Sequence, residues 1–368
     1  MNDPSPTSLT FAGNGNPEDG LPPGCGCRCF IIPGKVLKRF ANDRKLSAAE
    51  RKNFADAAKF EKEWRCFRDA KTQFAMTALS MLPSALAAPV WPPADNVFTC
   101  NHGTTLPGTA LPKPGSSTDP VARQAYAEAG AVAEFYKKVF GRTSIDNAGM
   151  ALVSSIHYSV KYNNAFWNGG QMVYGDGDGK IFLDFTKGND VIGHELTHGV
   201  TQHSAGLAYE NQAGGLNESI SDVFGSMFRQ WQAGQDVTQA DWLIGKDIIG
   251  PGAIQRGYTC LRDMANPAAT HCLAPQPTNF SQYHDGLDPH ESSGIPNLAF
   301  YKAAMAIGGM SWEKTGKIWY QALTGFPPNP KMKMSVFAKR TRTLAASMFP
   351  TEPAIKTAVN SAWTAVGL

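Results

Sequence analysis

The sequence lacks an excess of charge of either sign. Its 368 residues include 34 Lys and Arg against 31 Asp and Glu, which gives a formal net charge of +3 at pH 7. Proteins that bind nucleic acid or a membrane surface usually do so through a strong basic field, and this composition does not supply one. The hydrophobic share of 42% is nevertheless large enough for a substantial core, and the length predicts two or three domains.

Long apolar segments are also scarce. The longest runs from Phe74 to Ala88, is interrupted by Pro83, and is too short for a membrane-spanning helix. It looks like the core of a signal peptide, but its internal position allows that role only if the start codon is misassigned. The N-terminus is polar and shows no basic-then-apolar signal. We therefore expect a cytoplasmic protein, or one exported by a non-classical route.

Cysteine is too sparse for a dense disulfide scaffold, with 7 residues in the whole chain. Cys260 and Cys272 can bridge a loop in an oxidising compartment and are free thiols otherwise. The sequence leaves both states open. It also shows no internal repeat, so a repeat architecture is not expected.

What the sequence does contain is the motif His-Glu-Leu-Thr-His at residues 194–198. Positions four apart lie on one face of a helix, so His194 and His198 can reach one metal ion. Glu195 stands beside the first of them, where it can take a proton from a metal-bound water. The alternative, a surface helix with two solvated His, is disfavoured by the motif that follows.

That second motif, Gly-Gly-Leu-Asn-Glu-Ser-Ile-Ser-Asp at residues 214–222, offers a third ligand. A catalytic zinc site usually has three protein ligands and one position open to water. Glu218 is far enough beyond His198 for a turn and a second helix to bring it back to the metal. Asp222 lies on the same face as Glu218 and can accept the free N–H of a zinc-bound His. Taken alone, two acids at this spacing are equally typical of a solvated helix face.

Together these motifs resemble the thermolysin family of zinc metallopeptidases, and the resemblance extends over about residues 96–368. It implies an α+β fold of two lobes. A β-rich lobe that includes the zinc-binding helix would span residues 92–203, and a helical lobe would span residues 204–368. A pro-region at residues 25–91 and a disordered tail at residues 1–24 would precede them.

Residues 29–33, Cys-Phe-Ile-Ile-Pro, resemble the short pro-segment of protealysin-like members of this family. The resemblance implies that the pro-region assists folding and blocks the cleft, as an intramolecular inhibitor, until it is cut. One departure is Gly34, where a second Pro is usual. An alternative is that a cluster of thiols supplies a ligand to the catalytic zinc, since thiolate binds zinc well. These thiols are Cys25, Cys27 and Cys29.

The resemblance also assigns the catalytic roles. Glu195 would be the general base toward the zinc-bound water that attacks the peptide carbonyl, and would pass the proton to the leaving amine. Tyr209 and His290 would donate hydrogen bonds to the oxygen that becomes negative. Asp285 would orient His290.

The remaining assignments concern zinc and its surroundings. His194, His198 and Glu218 would hold the metal, with water in the fourth position. Asn217 and Asp222 would bond the zinc-bound His side chains and hold them in place.

In the family, an edge strand corresponding to residues 162–169 carries the extended peptide substrate, by backbone pairing. Asn164 and Ala165 would hold the substrate backbone, and Arg262 would contact the carbonyl beside the cleaved bond. An apolar pocket would accept the residue after the cut, and we expect a preference for Leu, Ile or Phe there. Its predicted walls are Phe182, Phe185, Val191 and Leu261.

One departure from the family concerns calcium. Many members hold a pair of calcium ions with carboxylates, and Asp190 and Asp241 stand at two of those positions. Arg229 and Lys246 stand at two others. A cationic side chain among carboxylates can neutralise them without metal, so we expect this cluster to replace the calcium pair.

Two other functions remain open. One is a binding protein that keeps the fold but has lost catalysis, and the other is a zinc hydrolase acting on a non-peptide substrate. Every expected catalytic position is filled, which argues against the first. The Asn164–Ala165 edge and Arg262 suit a peptide, which argues against the second. The sequence therefore predicts a zinc endopeptidase made as a latent precursor that acts on peptides or proteins.

Overall fold

The structure, a computed structural model, describes residues 30–61 and 91–368. The first part is a short extended segment, helix α1 (Gly34–Ala41) and helix α2, whose described residues are 48–61. A capping box begins α2, since Ser47 Oγ accepts from Glu50 N at 3.2 Å and the Glu50 carboxylate accepts from Ser47 N at 2.6 Å. The predicted tail, the three N-terminal cysteines, the signal-like segment and the end of the pro-region lie outside the described residues.

A five-stranded sheet carries the predicted edge strand. Its strands are β1 (Asp95–Thr99), β2 (Thr109–Ala110), β3 (Leu152–Ile156), β4 (Ala165–Trp167) and β5 (Met172–Tyr174), in the spatial order β2-β1-β3-β5-β4. The pairs β1–β3 and β3–β5 are parallel, whereas β4 pairs antiparallel with β5 at the edge. The predicted edge strand is therefore confirmed, and one side of β4 is left available for a further strand.

Helix α3 (Pro120–Phe140) covers this sheet. Its start follows from local chemistry, because Asp119 accepts from Val121 N at 2.9 Å and Pro120 needs no N–H partner in the first turn. It ends at Gly141, whose φ of +73° is accessible to glycine without strain.

Two long helices carry the predicted metal ligands. Helix α4 (Asn189–Gln202) and helix α5 (Asn211–Ala233) pack closely, and every residue of α4 from Asp190 to Thr201 is buried. Glycine allows the contact, since a Cβ on Gly225 would lie 2.5 Å from the Asp190 carbonyl oxygen. A Cβ on Gly193 would likewise lie 3.1 Å from the Gly225 Cα. This approach brings the side chains of the two helices to a common point.

The C-terminal part is largely helical. It contains a two-stranded sheet of β6 (Leu243–Ile244) and β7 (Arg262–Asp263), and six further helices. These are α6 (Pro251–Ile254), α7 (Pro289–Ser292), α8 (Gly294–Ile307), α9 (Thr315–Thr324), α10 (Met334–Met348) and α11 (Pro353–Ala365). Buried Trp319 and Trp363 stack with ring centroids 5.9 Å apart and join α9 to α11. Within residues 30–61 and 91–368, no helix combines the length and apolarity needed to cross a bilayer.

An ion-paired histidine fixes the turn beyond β3. His157 Nδ1 lies 2.8 Å from Asp176 Oδ1, and its Nε2 lies 2.8 Å from Asp119 Oδ2. The hydrogen bond to Asp176, followed by that to Asp119, outweighs burial and raises the pKa of His157 to about 9. Asp176 belongs to the Gly175–Gly179 segment, so this acid-rich turn is bonded to the neighbouring strand.

We expect the free energy of unfolding to fall in mildly alkaline solution, because His157 then loses the proton that its two carboxylate partners stabilise. Its folded pKa of about 9 exceeds the ordinary 6.5, so its contribution is complete below pH 6.5 and is lost as pH rises through 9. His157→Gln should flatten the pH dependence of the free energy of unfolding across this window, measured by urea denaturation. His284→Gln, at an exposed histidine, is the control and should keep the parent slope. An unchanged slope in His157→Gln would contradict the assignment.

Candidate functional site

Three buried side chains converge between α4 and α5. His194 and His198 stand one turn apart on α4 with their Nε2 atoms 3.0 Å from each other. Glu218 on α5 places Oε2 3.5 Å from His194 Nε2 and Oε1 3.4 Å from His198 Nε2. All three side chains are removed from solvent. Two imidazole nitrogens and a carboxylate around one point form a donor set that fits zinc.

The outer hydrogen bonds of the two imidazoles explain why both Nε2 atoms face this point. His194 Nδ1 lies 2.8 Å from Asp222 Oδ1, an acceptor, and His198 Nδ1 lies 2.8 Å from Asn217 Oδ1. The Asn217 amide is oriented because its nitrogen donates to the Leu207 carbonyl at 3.1 Å. Both Nδ1 atoms therefore donate, which leaves a lone pair on each Nε2.

The carboxylates of Glu218 and Asp222 stay ionised. Burial by itself would raise the pKa of Glu218, but His290, His194 and His198 lower that pKa to about 2. Burial likewise acts to raise the pKa of Asp222, and Arg262 with His194 holds it well below its ordinary value.

Asp222 also fixes a buried arginine. Arg262 donates from Nε to Asp222 Oδ2 at 2.8 Å and from a terminal nitrogen to Oδ1 at 2.7 Å. Asn297 donates to the same Oδ2 at 2.8 Å. One carboxylate thus positions both a metal-site histidine and the arginine predicted to contact substrate. The sequence did not reveal the Asp222–Arg262 pair or the part of Asn297.

Glu195 links α4, which carries two of the metal ligands, to edge strand β4. It is completely buried on α4, and its Oε2 accepts a hydrogen bond from the Trp167 backbone N–H of β4 at 2.9 Å. The motif alone did not indicate this contact, because it depends on how β4 packs against α4.

The predicted role of Asp285 is wrong. Asp285 is exposed and accepts from the Tyr283 hydroxyl at 2.9 Å, whereas Asp288 Oδ1 lies 2.9 Å from His290 Nδ1. Asp288 also caps α7 by accepting from the His290 backbone N–H at 3.0 Å. The cap places this carboxylate one short turn from the imidazole. An Asp directly before a Pro is typical of a helix start, and this signal could have identified Asp288 from the sequence.

His290 and Tyr209 face the metal ligands from the C-terminal lobe. His290 Nε2 lies 3.3 Å from the Tyr209 hydroxyl and 3.6 Å from Glu218 Oε2. The Tyr209 hydroxyl donates to Glu218. His290 Nε2 also lies 2.6 Å from the Phe30 carbonyl oxygen. The Phe30 carbonyl and Asp288 therefore hold the His290 ring from both sides.

The extended segment before α1 fills the cleft beside these groups. Ile31 N donates to the Ala165 carbonyl at 3.2 Å, and Arg262 donates to the Ile31 carbonyl at 3.2 Å. Ile32 N donates to Asn164 Oδ1 at 3.0 Å, and the Asn164 amide returns a bond to the Ile32 carbonyl at 3.2 Å. The three residues predicted to hold a substrate backbone therefore hold Ile31 and Ile32 instead.

The same segment extends the sheet. Phe30 forms an antiparallel bridge with Phe166 of β4, and the two rings lie 5.0 Å apart. The backbone of residues 30–32 is thus bonded on the side of β4 that β5 leaves unpaired, which is β-augmentation by the chain's own N-terminal part.

The four predicted pocket walls, Phe182, Phe185, Val191 and Leu261, are all completely buried. Phe182 is covered by the pro-region, since the rings of Phe40 and Phe54 each lie 6.3 Å from its ring. It also contacts Phe185 at 5.8 Å. The pro-region therefore covers this apolar wall as well as the unpaired side of β4.

The predicted charge cluster lies at the far end of α5. Arg229 approaches Asp190 and Asp241 at 3.7 Å each and Asp247 at 3.1 Å. Lys246 lies 3.0 Å from Asp241. Asp247 was not part of the prediction, although its place next to Lys246 was a signal. Burial raises the pKa of Asp190, and Arg229 opposes that effect.

Comparisons with known proteins agree with this geometry. The catalytic domain of thermolysin metallopeptidases matches residues 96–202, and their alpha-helical domain matches residues 205–368. An extracellular metalloprotease of Pectobacterium carotovorum subsp. carotovorum is 43% identical over 274 residues, which cover 72% of this chain and 78% of that protein. Thermolysin of Alicyclobacillus acidocaldarius subsp. acidocaldarius is 37% identical over 289 residues, covering 74% of this chain and 51% of that protein.

A solved structure extends the likeness to the N-terminal part. The precursor of protealysin, a metalloproteinase from Serratia proteamaculans, superposes with a TM-score of 0.76 at 36% identity. The match covers 92% of this chain and 99% of that one. The predicted two-lobe α+β fold and the protealysin-like subgroup are confirmed. The chain therefore belongs to the thermolysin family of zinc metallopeptidases, as a metalloendopeptidase made as a precursor.

Proposed function

We propose that the described chain is the latent form of this endopeptidase, inhibited by its own residues 30–32. The observation that carries the proposal is the 2.6 Å hydrogen bond from His290 Nε2 to the Phe30 carbonyl. A substrate carbonyl would need that donor. While Phe30 holds it, and Ile31 and Ile32 occupy the edge of β4, a peptide cannot enter.

The residues of the chain supply the catalytic groups. His194, His198 and Glu218 would hold zinc, which when bound acts as a Lewis acid and lowers the pKa of a water toward neutrality. Glu195, buried beside the same cleft, would accept the proton of the attacking water and return it to the leaving amine. The Trp167 N–H donates to one oxygen of Glu195 and so fixes the orientation of this carboxylate.

The negative oxygen that develops during attack would be stabilised from the C-terminal lobe. The Tyr209 hydroxyl and His290 Nε2 lie 3.3 Å apart and on the side of the cleft where the Phe30 carbonyl lies. Each such donor is worth about 3–4 kcal/mol when it is preorganised. Asp288 provides the preorganisation of His290, which is why it replaces Asp285 in the proposed site.

The hydrogen bonds also support a register for substrate. Phe30 lies at the oxyanion donor His290, and the next carbonyl, that of Ile31, accepts from Arg262. Ile31 therefore stands where the residue after the cut would stand, and its aliphatic side chain is completely buried. This supports a preference for a large apolar residue at that position, with the four walls named above forming its pocket.

The test is to expel the pro-segment without cutting the chain. Ile31→Asp would put a carboxylate in place of a completely buried aliphatic side chain, and the neighbouring Arg262 is already paired with Asp222. Burial of this charge should cost several kcal/mol, so the segment should leave the cleft. We expect the uncut variant to cleave a quenched-fluorescent peptide at least about tenfold faster than the uncut parent. Cleavage products of the matured parent should show Leu, Ile or Phe after the cut.

Two controls make the result decisive. Lys38→Ala, on the exposed face of α1, should leave the uncut chain as latent as the parent. Intact mass must show that each chain remains uncut during the assay. Equal low activity of Ile31→Asp and parent, both active after maturation, would contradict inhibition by this segment. A cleavage profile dominated by charged residues after the cut would contradict the proposed pocket.

We also propose that the Arg229 cluster takes the place of a calcium pair. Three carboxylates surround this guanidinium, and one of them, Asp190, is completely buried. The positive charge of Arg229, aided by Lys246, offsets charges that would otherwise need a cation.

We therefore expect the stability of the fold to depend on calcium only when Arg229 is removed. A calcium-selective chelator should leave the unfolding midpoint of the parent unchanged. Arg229→Ala should lower the free energy of unfolding by at least about 1 kcal/mol, because buried Asp190 loses its partner, and added calcium should restore part of it. Lys187→Ala, at an exposed cation of the same surface, should do neither. A parent that loses stability on calcium removal would contradict the replacement.

The predicted divisions of the chain are retained as part of the proposal. These are a tail at residues 1–24, a pro-region at residues 25–91, and lobes at residues 92–203 and 204–368. The boundary between the lobes falls just after α4, which ends at Gln202. A cytoplasmic location, or non-classical export, stays a prediction from the sequence.

A further inference from the structure

Two cysteines and a histidine cluster away from the catalytic ligands. Cys260 and Cys272 are both buried and unbridged, with their Sγ atoms 3.6 Å apart. His271 directs Nδ1 at the same point, 3.7 Å from Cys260 Sγ. All three ligand atoms lie within 4.8 Å of one another. None of these three side chains belongs to the catalytic site described above.

The spacing suits a metal better than a disulfide. Two thiolates bound to one zinc at about 2.3 Å in tetrahedral geometry stand about 3.8 Å apart, and a thiolate and an imidazole nitrogen about 3.6 Å apart. The observed 3.6 Å and 3.7 Å lie close to both values. A disulfide would need the two sulfurs at about 2.0 Å.

A carboxylate orients the histidine for this role. His271 Nε2 lies 3.3 Å from Asp263 Oδ2, and the other oxygen of Asp263 is held by the backbone N–H groups of Ala265 and Asn266 at 2.8 and 3.0 Å. A carboxylate beside Nε2 favours the tautomer that leaves the Nδ1 lone pair for a metal, which is the arrangement that metal-binding histidines usually have.

A hydroxyl lies beside the same three side chains. Thr259 Oγ1 is 2.8 Å from His271 Nδ1 and 3.9 Å from Cys260 Sγ.

We propose that Cys260, His271 and Cys272 form a second metal site, of the thiolate–imidazole type that binds zinc, with water or Thr259 as the fourth ligand. Binding releases two protons, one from each thiol, and the two thiolates neutralise the charge of the divalent ion. A neutral site is compatible with the burial of both cysteines.

The position of the site indicates what the metal would do. Cys260 directly precedes Leu261 and Arg262, and its carbonyl accepts from Leu273 N at 2.9 Å. The Leu273 carbonyl in turn accepts from Arg39 of the pro-region at 3.1 Å. A metal between Cys260 and Cys272 would fasten the strand that carries Arg262 to the segment contacted by the pro-region.

The experiment counts zinc in the full-length chain. Glu195→Gln serves as the parent so that self-cleavage does not intervene, and it is loaded with zinc under a reductant and desalted. We expect two zinc ions per chain in this parent and one when Cys260→Ser and Cys272→Ser are added. Cys100→Ser, which removes a third buried cysteine in the N-terminal lobe, is the matched control and should retain two. His271→Ala should also lose one, with both thiols still present.

Cobalt loading separates this site from the catalytic one. Sulfur-to-cobalt charge-transfer absorption should appear in the parent, persist in His194→Ala, and vanish in the double serine variant. One zinc per chain in the parent, with Cys260 and Cys272 reactive as free thiols, would overturn the proposal. So would a mass lighter by two hydrogens with both cysteines blocked, since that identifies a disulfide. Loss of metal in His194→Ala alone would instead concern the catalytic centre.

Discussion

Glu195→Gln is expected to lower kcat for peptide cleavage by about 10²–10⁴-fold, the usual contribution of a positioned general base. An amide cannot accept the proton of the attacking water. The fold should persist, because the amide oxygen can still accept from the Trp167 N–H that Glu195 now holds. The measurement is casein or peptide cleavage by matured chain, with and without a zinc chelator.

The matched control for this prediction is Glu134→Gln, at a partly exposed acid on α3 that pairs with Lys138 at 2.6 Å. It should retain parental activity and lose it only with chelator. A Glu195→Gln chain that keeps more than a tenth of the activity would remove Glu195 from the proposed mechanism. A parent with no peptide cleavage after maturation would favour the binding protein or the non-peptide hydrolase.

Arg262→Ala is expected to lower the free energy of unfolding by about 3–5 kcal/mol. The change leaves Asp222 buried without its bidentate partner, and an unpaired buried charge is expensive. It also removes the donor to the Ile31 carbonyl, so the pro-segment should bind less tightly. Urea denaturation in the Glu195→Gln chain measures the first effect without interference from self-cleavage.

Arg123→Ala is the control, since this exposed guanidinium donates to the Ser117 carbonyl. Its removal should lower the free energy of unfolding by no more than about 0.5 kcal/mol. A loss below about 1 kcal/mol in Arg262→Ala would mean that Asp222 finds solvent or another cation. That result would contradict the assignment of Asp222 as the carboxylate that positions both His194 and Arg262.

Local patterns allowed much of this site to be predicted. The spacing of His194 and His198 places both on one helix face, because this prediction depends only on the geometry of a single helix. Such a prediction needs no knowledge of how distant segments pack. Edge strand β4 was predicted instead from the resemblance to the family.

The errors and omissions share a different origin. Asp285 was assigned from the resemblance, whereas the carboxylate that meets His290 depends on where α7 begins within an irregular loop. The contacts that were missed join segments that lie far apart in the chain or on separate turns. They are those of Trp167 with Glu195, Asp247 with Arg229, and Asn297 with Asp222.

The sequence by itself determined the chemical identity of the centre: which groups can bind a metal, which can move a proton, and which family shares them. Only the tertiary structure decided that Phe30 points its carbonyl at His290, and that Cys260, His271 and Cys272 meet at one point. The physical reason is that helix and strand periods act over a few residues. Contacts across a cleft depend instead on the packing of whole elements, which no short pattern encodes.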